Sequence, residues 1–302
     1  MSPAALPYIL LLGLLFGSTL LVSRFSLGQF APTTYTWLRL AISAVAFAAV
    51  YLAGAVRGRR RLPTGRALWR DATLLGIFGT AVPMTAYVTS LQYQSAGVTA
   101  LLLTTTPALT ALMAQFLLPD ERLTLRKGAG ILLALAGTAL VVLRGESGLA
   151  GVAGRPIGYI MVLGAIGIES YMFVYTRKHC REFDTVDLSS VRMLVAALVV
   201  ASLSLPLVGF DLSAVTATGY LALLYASATT FGGLMLFLWV NQRFGATAVS
   251  LTSFVLPVVA AAGGVLFLGE TITPVMLAGM ALIIGGIAIL NRRQPVAMEI
   301  ET

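Results

Sequence analysis

Ten long apolar runs follow one another along this chain, with little sequence left between them. They cover roughly residues 4–23, 34–56, 72–92, 97–117, 128–143, 156–176, 188–208, 217–240, 246–268 and 272–290. Most approach the ~20 residues that an α-helix needs to cross a hydrocarbon core. They lack polar/apolar alternation and are too long for barrel strands. Only 11% of the 302 residues are charged and the mean hydropathy is +0.91, whereas an ordinary soluble domain carries about 25% charged residues. The expected fold is an all-α integral membrane bundle of ten transmembrane helices. The first run reads as a retained helix rather than a signal peptide. No basic stretch precedes it, no small-residue cleavage pattern ends it, and Arg24 follows directly. The fifth run is short unless it begins inside Arg126–Lys127.

Sliding the sequence along itself exposes an internal repeat. Arg24 and Arg39 recur as Arg177 and Arg192, offset by 153, and Pro107 recurs as Pro257, offset by 150. Glu121, Gly130 and Gly137 recur as Glu270, Gly279 and Gly286, offset by 149. Five spans per repeat is an odd number, so the two repeats must lie in opposite orientations. The expected units are a first repeat over 1–143, an external linker over 144–155, a second repeat over 156–291 and a cytoplasmic tail over 292–302. Basic residues concentrate in cytoplasmic loops. With the N-terminus inside, 15 of the 20 Lys and Arg fall there, and the external loops hold only Arg24, Arg144 and Arg155. Both termini are therefore expected in the cytoplasm of a cell whose inner membrane holds the protein. The arginine-rich stretch 57–70 accounts for much of the net charge of +8. Its place at a membrane edge points to anionic lipid headgroups, not to nucleic acid.

One His and one Cys exclude most metal sites, any disulfide framework and His-dependent catalytic dyads. No H-E-x-x-H, G-x-S-x-G or G-x-x-x-x-G-K-[ST] stretch is present, so intramembrane hydrolysis and in-chain ATP use are not expected. No cofactor and no metal is implied. A channel would show a polar ring or selectivity loop, and a sensor would carry a soluble output domain. Inverted repeats in a helical membrane protein instead point to a secondary transporter whose site lies near the midplane.

The residues "LLFGSTLLVSRF", Arg39, "TTTPALTALMAQFLLPDERLT" and "KGAGILLALAGTALVVL" form one half of a pattern. "SFVLPVVAAAGGVLFLGETIT" and "LAGMALIIGGIAIL" form the other. Together they resemble the drug/metabolite transporter superfamily, in its ten-helix type built from two EamA-like domains, over roughly residues 4–290. The resemblance implies a small-molecule substrate, drawn from amino acids, nucleotide-linked compounds, sugar phosphates and other metabolites. It also implies that the fourth and ninth spans line the pathway. The family often has Trp just before the glycine of the first span, where this chain has Phe16–Gly17; the 153 offset carries Phe16 to Glu169.

Glu169 is the acidic residue well inside a span, about 20 Å along its helix from Pro156. A charge at that depth faces a cavity or a partner. It reads either as a proton-coupling or substrate-amine site, or as an ion pair with Arg192. Arg39 and Arg192 read as structural charges, with snorkelling to a headgroup the common fate of such residues. Pro107 and Pro257 read as kinks that free a backbone carbonyl, with Thr104, Thr105 and Ser253 offering hydroxyls beside them. Ser18, Tyr87, Tyr171 and Tyr225 complete the candidate lining, where aromatic rings beside Met84 and Met235 supply an adaptable apolar surface. Tyr175 and Trp239 suit an interfacial belt. Thr124 and Thr273 should cap the helices that follow them, with Glu121 and Glu270 near the positive ends of those same helices. Gly130, Gly137, Gly279, Gly285 and Gly286 allow close helix approach, so the fifth and tenth spans are expected to pack on each other or on another subunit in a homodimer. The sparse intramembrane charge disfavours a highly charged solute. The expected substrate is an amino acid or a related zwitterionic or amphipathic compound, exported with protons as a candidate coupling ion; exchange and facilitated diffusion are the alternatives.

Overall fold

The computed structural model describes residues 3–58, 63–118, 124–244 and 251–291. Ten helical segments run through them: α1 Leu6–Ser26, α2 Pro32–Val56, α3 Arg66–Ser90, α4 Ala96–Leu117 and α5 Leu125–Leu143. The second half holds α6 Pro156–His179, α7 Thr185–Val208, α8 Ala217–Phe244, α9 Thr252–Leu268 and α10 Pro274–Asn291. The described residues contain no strand, only an isolated bridge between Leu149 and Val152. By length and composition α1 to α8 are long and apolar enough to cross a membrane, whereas α9 and α10 are shorter apolar helices. The 17 residues of α9 rise about 25 Å, and residues 245–250 ahead of it are not among those described.

Helix starts follow local chemistry. Pro32, Pro156 and Pro274 open α2, α6 and α10, where a missing N–H costs nothing because the first turn has no partner for it. Thr124 accepts the Lys127 N–H at 3.3 Å, so α5 begins at Leu125 and takes in the basic pair Arg126–Lys127. Thr273 accepts from the Met276 N–H at 3.1 Å and Ser95 from the Val98 N–H at 3.0 Å. Asp184 accepts from both Val186 and Asp187 at the start of α7.

The two repeats do not pack as two separate bundles. α1 lies on α8 and α9, and α2 lies on α8. The equivalent helices α6 and α7 lie on α3 and α4, and on α3, respectively. Each bundle thus takes its first two helices from one repeat and its next two from the other. The helices that join the bundles are paired with their own equivalents: α2 with α7, α4 with α9, and α5 with α10. At α5–α10 the glycines meet directly. A Cβ on Gly130 would lie 2.7 Å from the Gly286 carbonyl oxygen, and one on Gly137 would lie 2.7 Å from that of Gly279. Close approach of this kind lets dispersion contacts join helices that share the same apolar solvent.

One end of the bundle gathers the connections after α1, α3, α5, α7 and α9. Gln29 accepts from the Thr216 N–H and hydroxyl at 2.9 and 2.7 Å. The Ser95 N–H donates to Ser147 O at 2.7 Å and the Thr271 N–H to Gly148 O at 2.9 Å. Glu270 accepts from the Ala96 N–H at 2.8 Å and lies 3.9 Å from Arg24, which also donates to Leu91 O. Glu270 therefore caps α4, not the helix that follows it in sequence. Burial pushes its carboxyl above the ordinary range, opposed by the Ala96 and Gly97 amides and by Arg24.

Candidate functional site

Glu169 lies near the middle of α6 and is half-buried. The Tyr87 hydroxyl on α3 donates to its Oε2 at 2.5 Å. The repeat offsets carry this pair to Phe16 on α1 and Phe237 on α8, whose rings sit 6.4 Å apart. The same helix crossing is thus polar in one bundle and aromatic in the other. A carboxylate so deep in an apolar span is stable only with partners, and the single hydroxyl of Tyr87 leaves most of its acceptor capacity open.

The alternative partner, Arg192, is not bonded to Glu169. Its Nε donates to Thr80 Oγ1 at 2.5 Å and its Nη2 to Gly79 O at 2.6 Å. Gly79 O is available because Pro83, four residues on, has no N–H to return to it, and the chain widens to a π-turn over Ile77–Ala81. Arg39 repeats this arrangement. Its Nε donates to Thr230 Oγ1 at 2.7 Å and its Nη1 to Ser23 at 3.3 Å, and only 8% of the residue is exposed. Thr80 and Thr230 are themselves one repeat offset of 150 apart. Each guanidinium reaches across to a hydroxyl or carbonyl of the other repeat.

The kink in α4 divides it at Thr104–Thr105, between Leu103 and Thr106. Pro107 cannot bond Leu103 O, and the Thr106 hydroxyl takes that carbonyl at 2.7 Å. Thr104 and Thr105, both buried, donate to Leu101 O and Leu102 O at 2.5 Å each. Their donors are therefore spent on their own helix and only lone pairs are left. Ser170 donates to Thr106 O at 3.4 Å. In the other bundle a Cβ on Gly17, its equivalent, would lie 2.7 Å from Leu256 O, the carbonyl before Pro257. Pro257 sits inside α9, with Ser253 one turn earlier, half-buried and without a hydrogen bond among the described residues. The neighbouring Thr252 Oγ1 is buried and has no partner among the described residues.

Ser18 and Tyr225 are joined hydroxyl to hydroxyl at 2.7 Å, between α1 and α8. Tyr171 is 45% exposed and makes no hydrogen bond among the described residues. The structure therefore forms two bonded pairs, Tyr87–Glu169 and Ser18–Tyr225, one in each bundle. Tyr175 bonds Asp71 at 3.1 Å, and Trp239 packs on Tyr8 and Phe244. Glu121 lies outside the described residues. The described residues offer no group of three His, Cys, Asp or Glu side chains able to hold a metal. Sequence reading missed Thr80, Gly79, Thr230 and Ser23, the groups that hold the arginines. A signal existed for two of them, since Thr80 and Thr230 share an offset with Pro107 and Pro257.

The model of the EamA-like transporter family matches residues 4–143 and again 156–292. The chain is 22% identical over 277 residues to an uncharacterized transporter of Archaeoglobus fulgidus, covering 90% of this chain and 92% of that one. It is 27% identical over 263 residues to a probable terminal-alkyne amino-acid exporter of Streptantibioticus cattleyicolor, covering 84% and 82%. A solved crystal structure superposes with a TM-score of 0.66 at 25% identity, covering 93% of this chain and 94% of the other.

Proposed function

The chain belongs to the EamA-like transporter family, and from that premise we propose that it is a secondary carrier exporting an amino acid or a related zwitterionic or amphipathic compound across the cytoplasmic membrane. All ten helices span the bilayer in this reading, with both termini cytoplasmic and the arginine-rich end inside. Access alternates as the two cross-packed bundles rock about the α2–α7, α4–α9 and α5–α10 seams, and the substrate sits between them near the midplane.

The observation that carries this reading is the asymmetry of the crossing, with Glu169 and Tyr87 in one bundle and Phe16 and Phe237 in the other. A substrate amine pairs with the Glu169 carboxylate, and its apolar part rests on the aromatic side. Thr252 and Ser253 beside Pro257 offer hydroxyls to a carboxylate. A relative whose name states amino-acid export supports the substrate class. Protons are the coupling ion that such a carboxylate suits.

The test is thermal stabilisation of the purified protein by a panel of amino acids and other metabolites, repeated with Glu169→Gln. A ligand held only by the folded state raises stability by RT ln(1 + [L]/Kd). The expected result is a shift with a subset of amino acids that Glu169→Gln abolishes while leaving the unliganded melting temperature within a few degrees. A shift that survives the substitution removes Glu169 from the site. Saturable counterflow in proteoliposomes distinguishes a carrier from a channel.

A further inference from the structure

A crevice of about 400 Å³ lies between α2, α7 and the first turn of α3. Phe47, Tyr51 and Leu52 form one wall and Leu194 the other, with Pro63 and Trp69 as a roof. The Trp69 Nε1 donates to Pro63 O at 2.8 Å, which locks the roof together. Leu52 and Leu194 are 68% and 43% exposed, so the crevice opens sideways on the outer face of the bundle. Its polar groups are few: Ser190, and the Tyr51 hydroxyl, which donates to Asp187.

Two basic residues follow or precede its lining closely along the chain. Arg57 caps α2 two residues beyond Ala55, and Arg66 opens α3 one turn ahead of Trp69. Both are exposed and neither forms a hydrogen bond or ion pair among the described residues. Arg70, by contrast, is bonded to Asp71 at 2.7 Å. The volume falls in the range of small-molecule sites. An apolar crevice open to a bilayer is filled by acyl chain, and the charges at its mouth decide which lipid supplies it. Arginines near a membrane surface attract anionic headgroups, and tryptophan settles at headgroup depth.

We propose that this crevice binds one anionic phospholipid, with an acyl chain between Phe47 and Leu194 and the phosphate held by Arg57 and Arg66. The site is independent of the transport reading. It would tie the open end of α2 to α3 and α7, and so load the seam between the two bundles with a lipid.

The protein has three tryptophans, so Trp37→Phe with Trp239→Phe leaves Trp69 as the sole fluorophore. The protein is reconstituted in phosphatidylcholine vesicles with a minor fraction of either brominated phosphatidylglycerol or brominated phosphatidylcholine. The expected result is that Trp69 quenching titrates with a preference of about fivefold or more for the anionic lipid, lost in Arg57→Gln with Arg66→Gln. Equal quenching by both lipids, or a preference that survives the glutamines, overturns the proposal. A second measurement needs no tryptophan background: native mass spectrometry of the wild-type protein and of Ala48→Phe, which fills the crevice. One bound anionic phospholipid should persist on the first and vanish from the second, and an adduct retained by Ala48→Phe overturns the site.

Discussion

Arg39 and Arg192 each give the Nε–H to a threonine hydroxyl, Thr230 and Thr80 respectively, and these two threonines are themselves repeat equivalents. A hydrogen bond to a charged group in a poorly solvated site contributes about 1.5–3 kcal/mol, so Thr80→Val and Thr230→Val should each lower stability by about that amount in detergent unfolding. Thr80→Ser and Thr230→Ser, which keep the acceptor, should stay near wild type. The Arg192 site has a second acceptor in Gly79 O, whereas Arg39 has only the longer bond to Ser23. Thr230→Val should therefore be the more costly of the two. Equal losses in the valine and serine variants would mean that the guanidinium groups are held by packing alone. Thr80 and Thr230 carried a faint signal in their shared offset, but nothing in the sequence paired them with the arginines. Arginine in a span invites a headgroup reading, and the nearer partner came from a helix whose position the sequence does not state.

Helix existence was legible; of the helix neighbours only α5 with α10 was offered, as one of two readings, and the structure pairs them. The apolar runs, the opening prolines and the Thr124 and Thr273 caps all follow from chemistry within a few residues. Which helices touch depends on which face of each is inward, and helices that are apolar all round carry almost no such signal. Glu270 illustrates the limit, since it caps a helix 174 residues away in sequence rather than its own. The glycines are intermediate: their spacing marks a close approach, but only the structure pairs Gly137 with Gly279. A methyl group on Gly137 would meet the Gly279 carbonyl at 2.7 Å, while one on Gly285 meets Leu133 at an ordinary 3.5 Å. Overpacking of that kind costs about 1–3 kcal/mol. Gly137→Ala should thus destabilise the α5–α10 seam by that amount, and Gly285→Ala should change stability by less than about 0.5 kcal/mol. Comparable losses at both positions would show that glycine matters there for backbone freedom, not for approach.

At the scale of the whole molecule the inverted repeat makes a statement about sidedness. The connections that meet through Gln29–Thr216, Ser95–Ser147 and Arg24–Glu270 share one end of the bundle. Arg57 and Arg66 belong to connections at the other. The proposed orientation, with basic residues retained on the inner side, puts the loop at 209–216 outside and the α2–α3 connection inside. A cysteine placed at Ser213 or at Arg57 reads this directly, because both positions are exposed. The chain's one cysteine, Cys180, is buried, and burial pushes its thiol up to about 11, so at neutral pH it stays protonated and slow to alkylate. Replacing it by serine nevertheless removes any residual background. A membrane-impermeant maleimide should label Ser213→Cys in intact cells and Arg57→Cys only after the membrane is opened. The reverse pattern would turn the bundle over. The α2–α7 lipid crevice would then move to the outer leaflet, and the Glu169 carboxylate would be loaded from the opposite side, while every helix contact described above stayed as it is.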